Sequence, residues 1–330
     1  MRFLACVVTA GLVTAASASA AVDAGLLAMV PPDTQLVSGV HVGRSRLSPF
    51  GQFVISQIQA HPGELQDLVD QTGFDPRKDV TEVLMTFNGK PKDGGGLVLA
   101  RGTFDPEKVK AAAVAKGAIV EPYLGTELIL GGGGGAAHGG HQGAVAFLSR
   151  TLAVAGEREE VRYAVAHANM TRPTGLNPDL LAKINALSGS ADAWFVSIVP
   201  GTTVLPEALG GSSNNGNGTS QAAAIQSIVE STGSVRFGDE ISLSFEAQTR
   251  SDKDATSLAD VVRFVASLIQ MRRDSDPHLG PLATALDNMK LNASGNTMTL
   301  AVSMPEKDFE QLATMHMGHK PGVAHPAEKL

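Results

Sequence analysis

The chain has 330 residues, of which 43% are hydrophobic and 5% aromatic, and a formal net charge of −7. This acidic balance, with no block of basic residues, argues against nucleic acid and anionic membrane surfaces as partners. One tryptophan and two tyrosines leave little material for an aromatic ligand platform. The length allows one or two domains.

The first twenty residues have the pattern of a signal peptide. Arg2 supplies a positive charge, residues 3–13 are apolar, and residues 18–20 (Ala-Ser-Ala) form a small-residue cleavage site. The apolar run is shorter than the ~20 residues that a membrane-spanning helix needs, and no later run approaches that length. We therefore expect an exported, soluble product, periplasmic or extracellular, that begins near Ala21. Cleavage would remove Cys6, the only cysteine, so no disulfide would support the core.

The next segments alternate between strand and helix patterns. Residues 34–42 are rich in β-branched side chains and predict a strand, and helices follow from Pro49 and from Pro62. Residues 79–116 then predict a strand, a turn, a second strand and a helix. That helix should begin at Asp105-Pro106, because aspartate is a good N-cap and proline fits the first helical position.

The same strand–strand–helix order returns three times, in residues 144–165, 234–269 and from residue 289 onward. In the second of these, Ser251 and Asp254 have the spacing of a capping box, and an apolar stripe runs from Leu258 to Ile269. Apolar residues at 241, 243, 245 and 247 alternate with polar ones. This alternation predicts an antiparallel sheet with one face against helices and one face in water.

These patterns predict an α+β fold, with antiparallel sheets built from repeated ββα units in two related halves and helices packed on one sheet face. A Pro-Glu-Lys triplet at residues 106–108 and again at 305–307 supports a duplication. The alternative is that such units are common and that the triplet matches by chance. The expected organisation is a signal peptide (1–20), a first half (21–172), a second half (173–314) and a flexible tail (315–330).

Histidines are the weak candidates for a metal site. They lie in the glycine-rich segment 131–143 and in the tail, where Met315 and Met317 accompany them: His138, His141, His316, His319 and His325. Imidazole and thioether together suit copper. A tight site, however, needs ligands held by a second shell, and these segments look flexible. A solvated polar tail is therefore the favoured interpretation.

The sequence predicts no catalytic residue and no cofactor. The glycine run lacks the Gly-Lys-Ser/Thr that opens the helix of a phosphate loop. Neither Gly-x-Ser-x-Gly nor His-Glu-x-x-His occurs, so the local signatures of two hydrolase classes are missing.

Three short motifs carry a resemblance. They are Pro-Pro-Asp-Thr-x-Leu-Val at Pro31–Val37, Thr-Gly-Phe-Asp-Pro-x-x-Asp-Val at Thr72–Val80, and Arg-Gly-x-Phe-Asp-Pro-Glu-Lys at Arg101–Lys108. With the signal peptide, this combination resembles uncharacterised secreted bacterial proteins of unknown function. The resemblance covers mainly the first half. It supports export and an α+β fold, and it implies no activity.

We therefore predict an exported, non-catalytic binding or scaffold protein whose sheet–helix layer holds an apolar ligand or a protein partner. The alternative is a periplasmic metal-binding protein, or a hydrolase whose residues come together from distant parts of the chain. The sequence leaves the ligand and the oligomeric state open.

Overall fold

The structure is a computed structural model that describes residues 22–60, 63–89, 96–131, 143–199, 220–273, 275–276 and 279–317. The predicted signal peptide therefore lies outside the described residues, as do most of the glycine-rich segment and residues 318–330 of the predicted tail. No helix among the described residues is long and apolar enough to cross a membrane.

Twelve strands of the described chain form one antiparallel sheet. They are β1 (Leu36–Val40), β2 (Val80–Phe87), β3 (Gly96–Gly102), β4 (Ile119–Tyr123), β5 (Thr126–Leu130), β6 (Gly143–Ser149), β7 (Leu152–Glu157), β8 (Ala193–Ser197), β9 (Ile228–Arg236), β10 (Glu240–Thr249), β11 (Lys290–Ser294) and β12 (Thr297–Pro305). Their order across the sheet is β11-β12-β10-β9-β8-β1-β2-β3-β7-β6-β5-β4. The two parts of the chain therefore meet at β1 and β8, near the middle of the sheet.

The helices connect the strands and cover them. They are α1 (Ala24–Ala28), α2 (Val42–Ser45), α3 (Pro49–Ala60), α4 (Gly63–Thr72), α5 (Pro76–Asp79), α6 (Pro106–Ala115), α7 (Arg158–His167), α8 (Pro178–Ser188), α9 (Ser220–Gln226), α10 (Asp252–Arg272), α11 (Gly280–Asp287) and α12 (Glu306–Met317). The last helix thus extends three residues into the segment predicted as a tail.

The predicted helix starts are confirmed by their caps. The Asp105 carboxylate accepts a hydrogen bond from the Lys108 main-chain N–H, and Pro106 occupies the first turn of α6. Ser251 Oγ accepts the Asp254 main-chain N–H at the start of α10. Each side chain satisfies one of the amide groups that a helix N-terminus leaves without an internal acceptor.

The sheet buries opposite faces in its two parts. Directly paired residues of an antiparallel sheet point to the same side, and the pairs Gly39–Trp194 and Trp194–Ser234 define what we call the front face. One buried cluster lies on the front face and includes Val37, Leu84 and Trp194. The pairing of Gly233 with both Phe195 and Phe245 defines the opposite, back face.

The second buried cluster lies on the back face. It contains Ala247 and Met298, which pair with each other, together with Leu258 and Ala259 of α10. Ser244 and Glu246, on the front face of β10, are exposed. The predicted alternation along β10 is confirmed, and in this part of the sheet one face packs on helices while the other is open.

Two finer expectations differ from the structure. The prediction placed all helices on one sheet face, but α7 and α8 pack on the front face of the first strands and α10 on the back face of the last ones. The predicted apolar stripe of α10 is buried only in part, because Val265 and Leu268 are 40% and 38% exposed. The buried positions of α10 are Ala255, Leu258, Ala259 and Ala266.

The front-face cluster draws on both sides of the predicted boundary at residues 172 and 173. Leu180 and Ile184 of α8, with Trp194 and Val196 of β8, join residues of the first strands in one core. All four are at most 3% exposed. Helix α8 and strand β8 therefore complete the core of the first part of the sheet.

Candidate functional site

An apolar cavity lies on the back face of the sheet, and we call it the sheet cavity. Strands β1, β8, β9, β10 and β12 form its floor, and Leu282 and Leu286 of α11 contribute to its lining. Its volume is about 510 Å³, within the ~300–1,000 Å³ typical of small-molecule sites. None of its lining residues carries a titratable side chain.

A glycine shapes the floor of the sheet cavity. Gly233 lies between Phe195 and Phe245 in one row across three strands, and the two rings are 6.3 Å apart between centroids. A Cβ atom at Gly233 would lie 2.2 Å from the Phe195 ring. The missing side chain therefore lets the Phe195 ring lie across β9 and gives the floor its aromatic surface.

A smaller cavity lies under α3, α4 and α5, and we call it the helix cavity. Its volume is about 340 Å³. Apolar residues that contribute to its wall are Val54, Ile55 and Ile58 of α3, Leu65 of α4 and Pro76 of α5. Gly51 allows α3 to approach α2 closely, because a Cβ atom there would lie 2.1 Å from the Ser45 carbonyl oxygen.

Val40 of β1 lines both cavities, which therefore adjoin along one wall. An aromatic cluster supports that wall: the Phe50 ring stacks on Phe237 at 5.3 Å and meets Phe309 of α12 edge-on at 4.8 Å. Unlike the sheet cavity, the helix cavity has charged groups in its lining, Arg46 and Arg77. Together the two cavities offer apolar surface for a ligand, with positive charge in the helix cavity.

Most of the predicted metal ligands lie outside the described residues. His138, His141, His319 and His325 lie outside the described residues, and only the main chain of His316, within α12, is described. Within the described part of the chain, no group of three or more histidine, cysteine, aspartate or glutamate side chains could hold a metal ion.

Sequence reasoning missed a partly buried ionic cluster at the front face. The His41 Nε2–H donates to the Ser188 carbonyl oxygen at 2.9 Å, and His41 Nδ1 lies 4.0 Å from Glu82 Oε1. Arg101 pairs with Asp23 at 3.0 Å and lies 4.0 Å from Glu82. These residues come from α1, β2, β3 and the ends of β1 and α8, so no local motif could have shown them.

In this cluster, no nucleophilic side chain among the described residues is hydrogen-bonded to His41. The histidine reaches the main-chain oxygen of Ser188, while the Ser188 hydroxyl accepts the Val22 N–H at 3.3 Å. Burial raises the pKa of the Glu82 carboxyl above its ordinary value, against the opposing attraction of His41 and Arg101. The observed contacts join α1, the sheet and α8, and we assign the cluster to packing.

The raised pKa gives a pH-dependent prediction for Glu82→Gln. The folded state binds the Glu82 proton more tightly than the unfolded state does. Protonation of Glu82 therefore stabilises the folded state, fully below the ordinary pKa of 4.5, and this stabilisation is lost as the pH rises through the raised pKa of the folded state. The variant should therefore have a larger free energy of unfolding than the wild type at pH 7, and the difference should shrink towards pH 4. Urea unfolding across this range measures it. Glu246→Gln, an exposed site, is the control, and an equal response of both variants would contradict the prediction.

Comparison with known proteins gives a distant structural likeness. No family model matches the sequence, and neither does any curated protein sequence. Among solved structures, crystal form I of TP0453 aligns over 88% of this chain and 96% of its own, with a TM-score of 0.45 and 10% identity.

Proposed function

We propose that this chain is an exported, non-catalytic protein that binds a small apolar molecule on the back face of the sheet. The observation that carries the proposal is the sheet cavity: about 510 Å³ in volume, with phenylalanine and aliphatic side chains on its floor and leucines of α11 in its lining. Transfer of apolar surface from water into such a cavity is favourable by roughly 25 cal/mol per Å². Acid–base or nucleophilic chemistry would need reactive side chains, and the lining of this cavity contains none that titrates.

A cavity-filling variant tests the proposal. Val302→Trp places an indole in the sheet cavity, whereas Ala301→Trp places the same ring on the front face of the same strand. With the mature chain and the neutral dye N-phenyl-1-naphthylamine, we expect wild-type binding and a loss of more than about tenfold in Val302→Trp, or 1.4 kcal/mol. Ala301→Trp should change affinity by less than about twofold, since each ring lies on its own face.

Fluorescence titration measures the affinities, and circular dichroism shows that each variant is folded. Absence of dye binding by the wild type would refute the proposal. So would equal affinities of the two folded tryptophan variants. If Val302→Trp does not fold, Val235→Phe offers a milder filling of the same cavity.

Export is the second part of the proposal and has its own test. The signal-peptide pattern of residues 1–20 supports it. Intact-mass measurement of the native protein should show an N-terminus at or near Ala21, and a chain that retains Met1 would contradict export by this route.

We also propose that the two halves arose from one duplicated unit. Counted outward from the middle of the sheet, β1-β2-β3-β7-β6 corresponds to β8-β9-β10-β12-β11. In the first series, α6 follows β3 and α7 follows β7 along the chain. In the second series, α10 follows β10 and α12 follows β12. Superposition of the halves in an experimental structure should match these paths, and a poor match would contradict the duplication.

A further inference from the structure

Two polar groups in the lining of the helix cavity are incompletely matched: the Ser45 hydroxyl in its hydrogen bonding and the Arg46 guanidinium in its charge. Ser45 Oγ is buried and, within the part of the chain that the structure describes, has no hydrogen-bond partner. Arg46, the next residue, is half-buried in the same lining. Buried hydroxyl groups are normally hydrogen-bonded, so the Ser45 hydroxyl retains an unused donor beside the cavity lining.

The charge of Arg46 also lacks a counter-ion. Its guanidinium donates to the Lys78 carbonyl oxygen, and no described carboxylate forms an ion pair with it. Arg77, the other cation of the lining, is already balanced by Asp75: its Nε–H and Nη2–H donate to the two carboxylate oxygens at 2.7 and 2.9 Å. The hydrogen bond from Arg77 holds the pKa of the Asp75 carboxyl below its ordinary value. The available positive charge is therefore that of Arg46.

We infer that the ligand is an amphiphile of the fatty-acid class, with a carboxylate at Ser45 and Arg46 and its chain in the helix cavity. This inference rests on the proposed apolar-ligand function and specifies its ligand. A carboxylate has two oxygens, enough to accept from the hydroxyl and from the guanidinium together. The hydrocarbon chain lies against α3 and α4 and points towards Val40, beyond which the sheet cavity takes the rest of a longer chain.

A pair of ligands with equal chain length isolates the head group. Decanoate and decanol differ in charge and not in chain length, and both can be titrated against the mature chain by calorimetry. We expect decanoate to bind about tenfold more tightly than decanol, the size of effect of one charge-assisted hydrogen bond.

The variants separate charge from hydrogen bonding. Arg46→Gln should weaken decanoate about tenfold and leave decanol within about twofold, because the charge-assisted contact is lost. Arg46→Lys should retain part of the preference, and Ser45→Ala should reduce it about threefold through loss of the hydrogen bond that the hydroxyl donates to the carboxylate. Arg263→Gln removes an arginine that is exposed and paired with Asp260, and it should leave both affinities unchanged.

The possible outcomes separate the acidic head group from the proposed binding of an apolar ligand. Equal binding of decanoate and decanol, unaltered by Arg46→Gln, would overturn the acidic head group and leave apolar binding intact. No binding of either ligand, together with no binding of the dye, would overturn both. If Arg46→Gln fails to fold, Arg46→Lys and Ser45→Ala still decide, because an unchanged preference for decanoate in both would contradict the assignment.

Discussion

Gly39→Ala should destabilise the protein by about 1–3 kcal/mol, although it adds one methyl group. Gly39 lies in β1, at the centre of the sheet, and pairs with Trp194 of β8. A Cβ atom at Gly39 would lie 2.5 Å from Cζ2 and 2.6 Å from Cε2 of the Trp194 ring, which is 3% exposed. Since the ring is enclosed by the front-face core, it can yield only by disturbing other buried side chains.

The measurement is urea unfolding followed by circular dichroism and by the fluorescence of Trp194, the only tryptophan. Gly238→Ala is the matched control, because the nearest atom to its added Cβ is 3.6 Å away; its effect should stay within about 0.5 kcal/mol. Trp194→Leu should relieve the clash, so the double variant should be more stable than the sum of the single effects by about 1 kcal/mol. Equal stabilities of the two alanine variants would contradict this account.

Local features of the fold could be predicted from the sequence because neighbouring residues determine them. The Asp105 and Ser251 side chains each accept a hydrogen bond from the main-chain N–H three positions later in the chain. The alternation along β10 follows from the two-residue period of a strand. The structure has these features at the residues that the patterns predicted.

The change of core face could not be predicted from such patterns, because it depends on which strands become neighbours. Strand β8 pairs with β1, more than 150 positions earlier in the chain. One signal did exist: residues 193–199 form a nearly continuous apolar run. In β8, Trp194 and Val196 join the front core while Phe195 lines the sheet cavity. A strand that is apolar on both sides thus marks the position where burial passes from one face to the other.

The candidate site was beyond sequence reasoning for the same physical reason. The lining of the sheet cavity runs from Ser38 to Met304 and uses five strands and a helix, so its residues have no common spacing. The binding of an apolar ligand in the sheet–helix layer was expected in general terms. The two donors at Ser45 and Arg46 make that expectation more specific, because they favour an acidic amphiphile over a neutral one.

Ile184→Ala should destabilise the whole chain by about 2–5 kcal/mol, the usual cost of removing a fully buried aliphatic side chain. Ile184 is 0% exposed and belongs to α8, which packs on β8 over the front-face core. Strand β8 in turn joins β1 through five residue pairs and β9 through five more. Loss of packing at Ile184 is therefore transmitted to both parts of the sheet.

Asn185→Ala is the control, because its side chain is exposed on the same helix, and its effect should stay within about 0.5 kcal/mol. In Ile184→Ala, the Trp194 fluorescence and the circular dichroism should shift together to lower urea concentration, as expected for a single cooperative unit. A fluorescence transition that moves while a separate dichroism transition stays fixed would show that the last strands unfold independently. Because the two parts of the sheet are joined by the pairing of β1 with β8, and α8 packs on β8, α8 is the helix on which that cooperativity depends.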